Sequence, residues 1–491
     1  MLFNSYAFVF GFLPVALVAY AWLRRLTDPR PLLAALLVLS LAFYALWDWR
    51  LLPLLLASIA CNAWIAGRMA RAVAIRGRRV WLRLGLAVNL GLLFACKYAG
   101  AVATLAAPGA VGAAWLATLP LPLGISFFTL QQVAYLIDLH RGAPVDRQPL
   151  HYPLFVAFFP HLIAGPLIHH AEYARQLRHV GQRPLARDWA VGGTIFTLGL
   201  AKKVLLADQL APFADPTFAA AAAGSVPVPA AAWLAALAWT LQLYFDFSGY
   251  SDMAIGLARM FGIVFPLNFA SPYRATSIID FWRRWHITLS RFLRDYLYIP
   301  LGGNRLGRVR QQINLLATMA IGGMWHGAGV AFLVWGCLHG LLLAANHGWR
   351  RLGPAWSPPL PLAWASTFLA VIVAWVPFRT ADLAAATRFW TGMAGLGAPA
   401  PATAPVGPGG CAVVLLGLIV ALFAPNTQTL LRRYAPGLST PGYATGIPAR
   451  GPLRQAVRWR PTPVWGVAAG FLLAVCLMGL NRATEFIYFR F

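Results

Sequence analysis

Two short stretches decide how this chain is read: FWRRWHITLSRFLRDYLYIPLGGNR (Phe281–Arg305) and GGMWHGAG (Gly322–Gly329). Together they hold a dense run of arginines, several tryptophans and two histidines, His286 and His326. At 100° per residue the first stretch predicts a helix with Trp282, His286, Leu289, Leu293 and Tyr296 on one face. Arg283, Arg284, Arg291 and Arg294 fall on the opposite face. The arginine face suits lipid phosphate or a phosphorylated ligand, and equally a plain positive-inside anchor. His286 lies on the apolar side, where a structural and a catalytic histidine both fit.

His326 is the sharper case. It stands among Gly322, Gly323, Gly327 and Gly329, which let backbone or ligand approach closely, between two mostly apolar segments. A histidine at that depth is costly unless it is well partnered or does chemistry, and neutral imidazole is a good general base near pH 7.

Outward from these stretches the chain is apolar. Of 491 residues 59% are hydrophobic and 11% charged, and mean hydropathy is +0.64, values of a polytopic membrane protein. The net charge of +26 sits in short loops between apolar spans, which points to a cytoplasmic membrane face and membrane lipid and away from nucleic acid. The five cysteines are scattered without CxxC spacing, so neither a disulfide framework nor a metal site is indicated. The N-terminal apolar stretch lacks a basic n-region and reads as a retained first span.

Expected spans are Tyr6–Leu23, Pro31–Trp47, Leu51–Ala66, Leu84–Leu105 and Gly112–Leu139. Arginines follow the first, third and fifth of them (Arg24, Arg25 and Arg30; Arg68 to Arg83; Arg141 and Arg147), which puts the odd-numbered links inside and the N-terminus outside. His151–His170 is interrupted by Pro153, Pro160 and Gly165–Pro166 and is expected to re-enter from the cytoplasmic side as a wall of the site. Its histidines, His161, His169 and His170, read as structural.

Ala190–Ala207 crosses outward, Asp208–Pro229 reads as an outside loop, and Ala230–Leu257 returns with Tyr244, Asp246, Ser248, Tyr250 and Asp252 in an apolar helix. Asp246 and Ser248 suit orienting a histidine or binding a hydroxyl substrate; bracing neighbouring helices is the plainer reading. Arg274–Arg310 carries ten charged residues and stays inside. LGGNRLG (Leu301–Gly307), with Asn304 at its centre, reads as a tight turn, since it lacks the Lys-Ser/Thr of a P-loop. Further spans are Gln312–Trp325, Ala328–His347, Leu360–Pro377, Cys411–Phe423 and Val464–Leu480. The link Gly392–Gly410 reads as flexible and Arg432–Arg460 as a basic inside loop.

The expected fold class is thus an all-α polytopic membrane protein. It has about 11–13 transmembrane helices plus re-entrant or interfacial helices around a central funnel. Residues 1–491 form a single domain with 274–328 as its catalytic core, and both termini lie outside.

The two stretches resemble the signature of the membrane-bound O-acyltransferase (MBOAT) family. They are most similar to its bacterial alginate and polysaccharide O-acetyltransferase branch. MLFNSYAFVFGFLP at the start, YFDFSGYSDMAIG (Tyr244–Gly256) and the FIYFRF ending (Phe486–Phe491) share that resemblance. It implies a bacterial inner-membrane enzyme that passes an acetyl or other acyl group from a cytoplasmic thioester donor, acetyl-CoA or a relative, with no tightly bound cofactor. It implies His326 as the essential histidine and His286 as a supporting one. On the substrate and donor side the candidates are Arg283, Arg284, Trp282, Trp325, Asn304, Tyr244, Asp246 and Ser248. The implied partners are a periplasmic or extracellular SGNH-type acetyltransferase and polysaccharide-export machinery. Alternatives are D-alanyl transfer to teichoic acid and, in a different class, a transporter or flippase using Asp138, Asp246 and Asp252.

Overall fold

The protein is described from a computed structural model covering residues 1–106, 121–146, 148–353, 357–380, 382–397, 407–443, 458–482 and 484–487. Part of the expected fifth span (112–120), Arg147, parts of the links 392–410 and 432–460, and the last residues of the FIYFRF ending lie outside the described residues.

Among the described residues the chain is helix and loop, with a single β-type bridge between Pro266 and Leu438. The N-terminal helices are α1 (Leu13–Leu23), α2 (Arg30–Asp48), α3 (Leu52–Arg71), α4 (Ile75–Lys97), α5 (Ala99–Ala106) and α6 (Ile125–His140). Three short helices follow, α7 (His151–Ala157), α8 (Phe159–Leu162) and α9 (His170–Leu177). Next come α10 (Leu185–Ala201), a π-helical turn (Lys202–Ala207), α11 (Asp208–Ala222) and the long α12 (Pro229–Met260). The signature stretch forms α13 (Ile278–Trp282), α14 (Ile287–Leu293) and a π turn (Arg294–Tyr298). The rest is α15 (Arg308–His326), α16 (Val330–Trp349), α17 (Leu360–Arg379), α18 (Leu383–Met393), α19 (Pro408–Phe423), α20 (Thr427–Leu430) and α21 (Pro463–Gly479).

Among the described residues five continuous helical stretches are long and apolar enough to cross a membrane: Arg30–Arg71, Ile75–Lys97, Leu185–Ala222, Val330–Leu352 and Leu360–Arg379. Ala7–Leu23, Gly409–Phe423 and Pro463–Gly479 are shorter apolar helices. The first stretch is 42 residues long, roughly 60 Å at 1.5 Å per residue, about twice a hydrocarbon core. It bends at Trp49–Leu51, where Asp48 caps a 3₁₀ turn by accepting from Arg50 N–H. Large apolar side chains such as Val15, Val18, Trp22, Leu46, Val464 and Phe471 stay exposed on the outer helices, as a lipid-facing surface requires. This is a multi-pass membrane protein.

Two segments depart from the sequence expectation. Asp208–Pro229 is helical over most of its length, as α11, although Pro212 and Pro216 lie within it. The helix expected over 281–296 breaks after Trp282, and His286 takes left-handed backbone angles (φ 43°, ψ 53°) before α14 starts. Of the expected interruptions of His151–His170, Pro153 lies within α7, but the helix ends at Ala157 ahead of Pro160, and residues 163–169 around Gly165–Pro166 are irregular and largely buried.

The most extensive packing joins α10 to α12. These helices meet at two glycine pairs seven residues apart on each helix, Gly192 with Gly256 and Gly199 with Gly249. A Cβ at either member would come within 2.5–2.7 Å of its partner's carbonyl oxygen. Small residues let backbones touch where lipid offers no hydrophobic drive for association.

Gly199→Val is expected to destabilise the protein by about 1–3 kcal/mol through overpacking. Gly193→Ala on the same helix, which meets nothing within 4 Å, is expected to be neutral or slightly stabilising. Thermal unfolding of both variants in detergent checks this.

Candidate functional site

Asn268, 0% exposed, organises the site around His286. Its backbone C=O accepts from Ile287 N–H at 2.9 Å, and two residues on Ala270 N–H donates to Arg284 C=O at 2.9 Å. Its side-chain Oδ1 accepts from Thr288 N–H (3.3 Å) and Thr288 Oγ–H (3.0 Å), while Thr288 Oγ accepts from Leu167 N–H (3.0 Å). Oδ1 is therefore an acceptor, and His286 Nδ1, 3.1 Å away, must donate to it. The tautomer is set: Nδ1 carries the proton and Nε2 is the proton-accepting atom. Asn268 Nδ2–H donates in turn to Ser251 Oγ of α12 at 3.1 Å, tying the loop to the helix core.

These contacts hold His286 in left-handed backbone, an arrangement that costs of order 1–3 kcal/mol and persists only where the surroundings over-determine it. The ring is 1% exposed and meets Phe247 edge-on at 4.7 Å. His286 lies outside the long helices, and burial pushes its pKa down to about 3, so the imidazole is neutral at physiological pH.

His326 is the last residue of α15 and is 3% exposed. Its ring is boxed by Trp325 (4.8 Å), Trp335 (5.1 Å) and Phe378 (5.1 Å). The box is possible because α15 and α16 cross in close contact: a Cβ on Gly323 would stand 2.3 Å from Phe332 C=O, and one on Gly336 2.3 Å from Met319 C=O. A chain of ring contacts, Phe269, Trp285, Trp375 and Trp335, runs from His286 to His326. A small cavity of about 40 Å³ opens beside His326, lined also by Lys97, Gly124, Ser126, Phe127 and Ile163.

Trp282 and Trp325 both join this aromatic interior. Trp282 donates from Nε1 to His339 Nδ1 (3.3 Å) and packs edge-on to Trp335, while Trp325 donates to Ser126 C=O (3.3 Å). Tyr244 is buried against Phe269 and Tyr273 on the His286 side, and Ser248 is buried on the same helix.

Asp246 is engaged elsewhere. It accepts from Lys203 Nζ (2.7 Å) and Ile487 N–H (3.0 Å), which is bracing. Arg283 is exposed, Arg284 pairs with Asp280 (2.9 Å), and Asn304 is exposed in the turn after the second π segment. Arg291 pairs with Glu172 (2.8 Å) and Arg294 with Asp295 (2.7 Å). The arginine face is a mesh of ion pairs with Arg283 standing outside it. Among the described residues no group of three or more His, Cys, Asp or Glu could hold a metal.

The profile of "MBOAT, membrane-bound O-acyltransferase family" matches residues 122–378, a span holding both histidines. The chain belongs to this family. It is 43% identical over 431 residues to a peptidoglycan O-acetyltransferase of Helicobacter pylori, covering 81% of this chain and 80% of that protein. It is 42% identical over 405 residues to a probable alginate O-acetylase AlgI of Pseudomonas aeruginosa, covering 81% and 75%. A teichoic acid D-alanyltransferase of Bacillus subtilis is more distant, 26% identical over 262 residues, covering 51% and 65%.

Three residues of this membrane O-acyltransferase escaped the sequence reading. Asn268 lies in an unremarked loop, His339 inside an apolar helix, and Lys97 at the end of α4. The lysine did leave a signal: Lys97, Lys202 and Lys203 are the only lysines among 40 basic Lys and Arg residues. A cation type used this rarely points to positions where its compact ammonium is needed.

Asn268→Ala would strand three buried donors, and a loss of at least about 1–3 kcal/mol is expected on thermal unfolding in detergent. His286 binds fewer protons folded than unfolded, so its contribution is present above pH 6.5 and is lost as pH falls from 6.5 towards about 3. His286→Gln should flatten the stability-versus-pH curve over that window, measured against wild type.

Proposed function

We propose that this enzyme takes an acetyl group from a cytoplasmic thioester, acetyl-CoA or a close relative, and passes it through the membrane for O-acetylation of an exported glycan. The observation that carries this reading is the pair of buried histidines joined through one aromatic interior of Phe269, Trp285, Trp375 and Trp335, one of them held in a fixed tautomer. Such a pair, in a site closed to bulk water, can abstract a hydroxyl proton and orient the reacting group.

His326 acts as the general base. The acceptor hydroxyl loses its proton to the imidazole as its oxygen bonds to the acyl carbon. The C–S bond then breaks and the proton passes to the leaving thiolate. His286 Nε2 accepts a hydrogen bond from a second donor group of the acceptor, separate from the reacting hydroxyl, and so orients it. Arg283 and its neighbours on the basic face draw in the anionic part of the donor, while Trp282, Trp325, Tyr244 and Ser248 shape the chamber around it. Asn304 serves the donor side from the exposed turn, and Asp246 acts through the frame. No tightly bound cofactor takes part. Residues 274–328 form the catalytic core of one membrane domain in the bacterial inner membrane, with both termini outside.

The relatives named for peptidoglycan and alginate acetylation support a glycan as the final acceptor. An SGNH-type acetyltransferase outside the membrane relays the group, working with the export machinery. D-alanyl transfer to teichoic acid is the weaker reading, because the relatives named for it match about half of the chain. The transporter reading draws no support from the acids that suggested it. Asp138 accepts from Tyr296 Oη–H (2.8 Å), and Asp246 and Asp252 pair with Lys203 and Lys202.

In cells carrying His326→Ala at normal membrane levels, the acetyl-ester content of the exported glycan is expected to fall below about 1% of wild type, as for loss of a general base. Unchanged esters at normal protein levels would remove His326 from the mechanism.

A further inference from the structure

α15 stops at His326 because Gly327 swings to extended backbone (φ −167°, ψ 160°). The last four carbonyls of a helix have no partners within it, and here the final two belong to buried residues, with Trp325 8% and His326 3% exposed. Their partners come from the end of α4. Lys97 Nζ donates to Trp325 C=O at 2.6 Å and to His326 C=O at 2.8 Å, and Tyr98 Oη–H donates to Met324 C=O. Met324 C=O also accepts from Gly327 N–H at 3.2 Å. The ammonium further lies 5.9 Å from the centre of the Trp325 ring.

A cation at a helix C-terminus also complements the negative end of the helix dipole. Lys97 supplies hydrogen bonds to the two peptide groups around the Cα of His326. Its side chain, Trp325 and His326 line the same cavity. Cap, histidine and the space into which a substrate group would enter are contiguous.

We infer that Lys97 is a positioning residue for acyl transfer, fixing the backbone from which the His326 imidazole is presented to the cavity. The inference rests on His326 being the base, as proposed above. Lysine suits the task because one ammonium can aim two N–H bonds at two neighbouring carbonyls, and a neutral aliphatic side chain offers none. A displacement of the imidazole by about 1 Å is enough to cost on the order of 100-fold in rate.

The test uses the full-length chain in membrane vesicles from cells that also carry the acceptor system, with radiolabelled acetyl-CoA as the probe. Rates are normalised to folded protein, measured by size-exclusion of a fluorescent fusion. For Lys97→Met, kcat is expected to fall about 10- to 100-fold with KM for acetyl-CoA within about twofold, since donor binding is untouched. Lys97→Arg, which restores charge and two donors, should recover part of the rate.

A Lys97→Met enzyme with the wild-type rate per folded molecule overturns the inference, and so does a loss explained wholly by less folded protein. If Lys97→Met does not fold, Lys97→Gln replaces it under the same criteria. His326→Gln separates the two claims: if it keeps the wild-type rate, the His326 reading itself fails. If it is inactive while Lys97→Met is normal, only the role of Lys97 falls.

Discussion

The contact between Lys203 and Asp246, 2.7 Å between side chains 1% and 2% exposed, is the knot on which the frame depends. It joins the π turn after α10 to the middle of α12. Lys203 also reaches Asp208 (2.8 Å), Thr484 Oγ (3.0 Å) and Glu485 C=O (3.1 Å), while Asp246 receives Ile487 N–H. One buried cation thus gathers α10, α11, α12 and the C-terminal segment. Breaking such a cluster from one side leaves an uncompensated buried charge, a cost of about 3–5 kcal/mol. A second pair, Lys202 with Asp252 (2.6 Å), stands beside it and extends through Asp252 to Thr427 of α20.

Around this frame the two histidines are held by opposite means. His286 sits in strained backbone kept in place by a polar network running from Leu167 through Thr288 and Asn268 to Ser251. His326 sits at the relaxed end of a helix, among aromatic rings. One is placed by side-chain hydrogen bonds around Asn268, the other by ring packing and by the Lys97 contact to its backbone carbonyl. The broken segment 163–169 serves both sides, since Leu167 closes the polar network and Ile163 lines the cavity at His326.

Local pattern carried the class of the fold far, because apolar runs and arginine loops are written residue by residue. It failed at His286, since the helix over 281–296 is broken by an acceptor 18 residues upstream that no 3.6-residue period can register. The need of Asp246 for a partner was legible, but the partners lie 43 residues before it and 241 after it. Asn268 and His339 left no local mark, as an asparagine in a loop and a histidine in a helix are each ordinary until the fold brings Thr288 and Trp282 to them. The glycine crossing of α10 and α12 was readable in principle, from the equal seven-residue intervals between Gly192 and Gly199 and between Gly249 and Gly256.

Those crossings bear on how the molecule moves. Sliding of one helix over another proceeds by side chains repacking between the axes. Where backbone rests on backbone, as at Gly192–Gly256, Gly199–Gly249, Gly323 and Gly336, there is no such layer to repack. Asn268 hangs from α12 through Ser251, and His326 rides on α15, so each histidine is tied to a helix with such a seam. Each histidine is therefore set on a backbone seam that resists sliding, and movement in the molecule is left to the connecting loops and the outer helices.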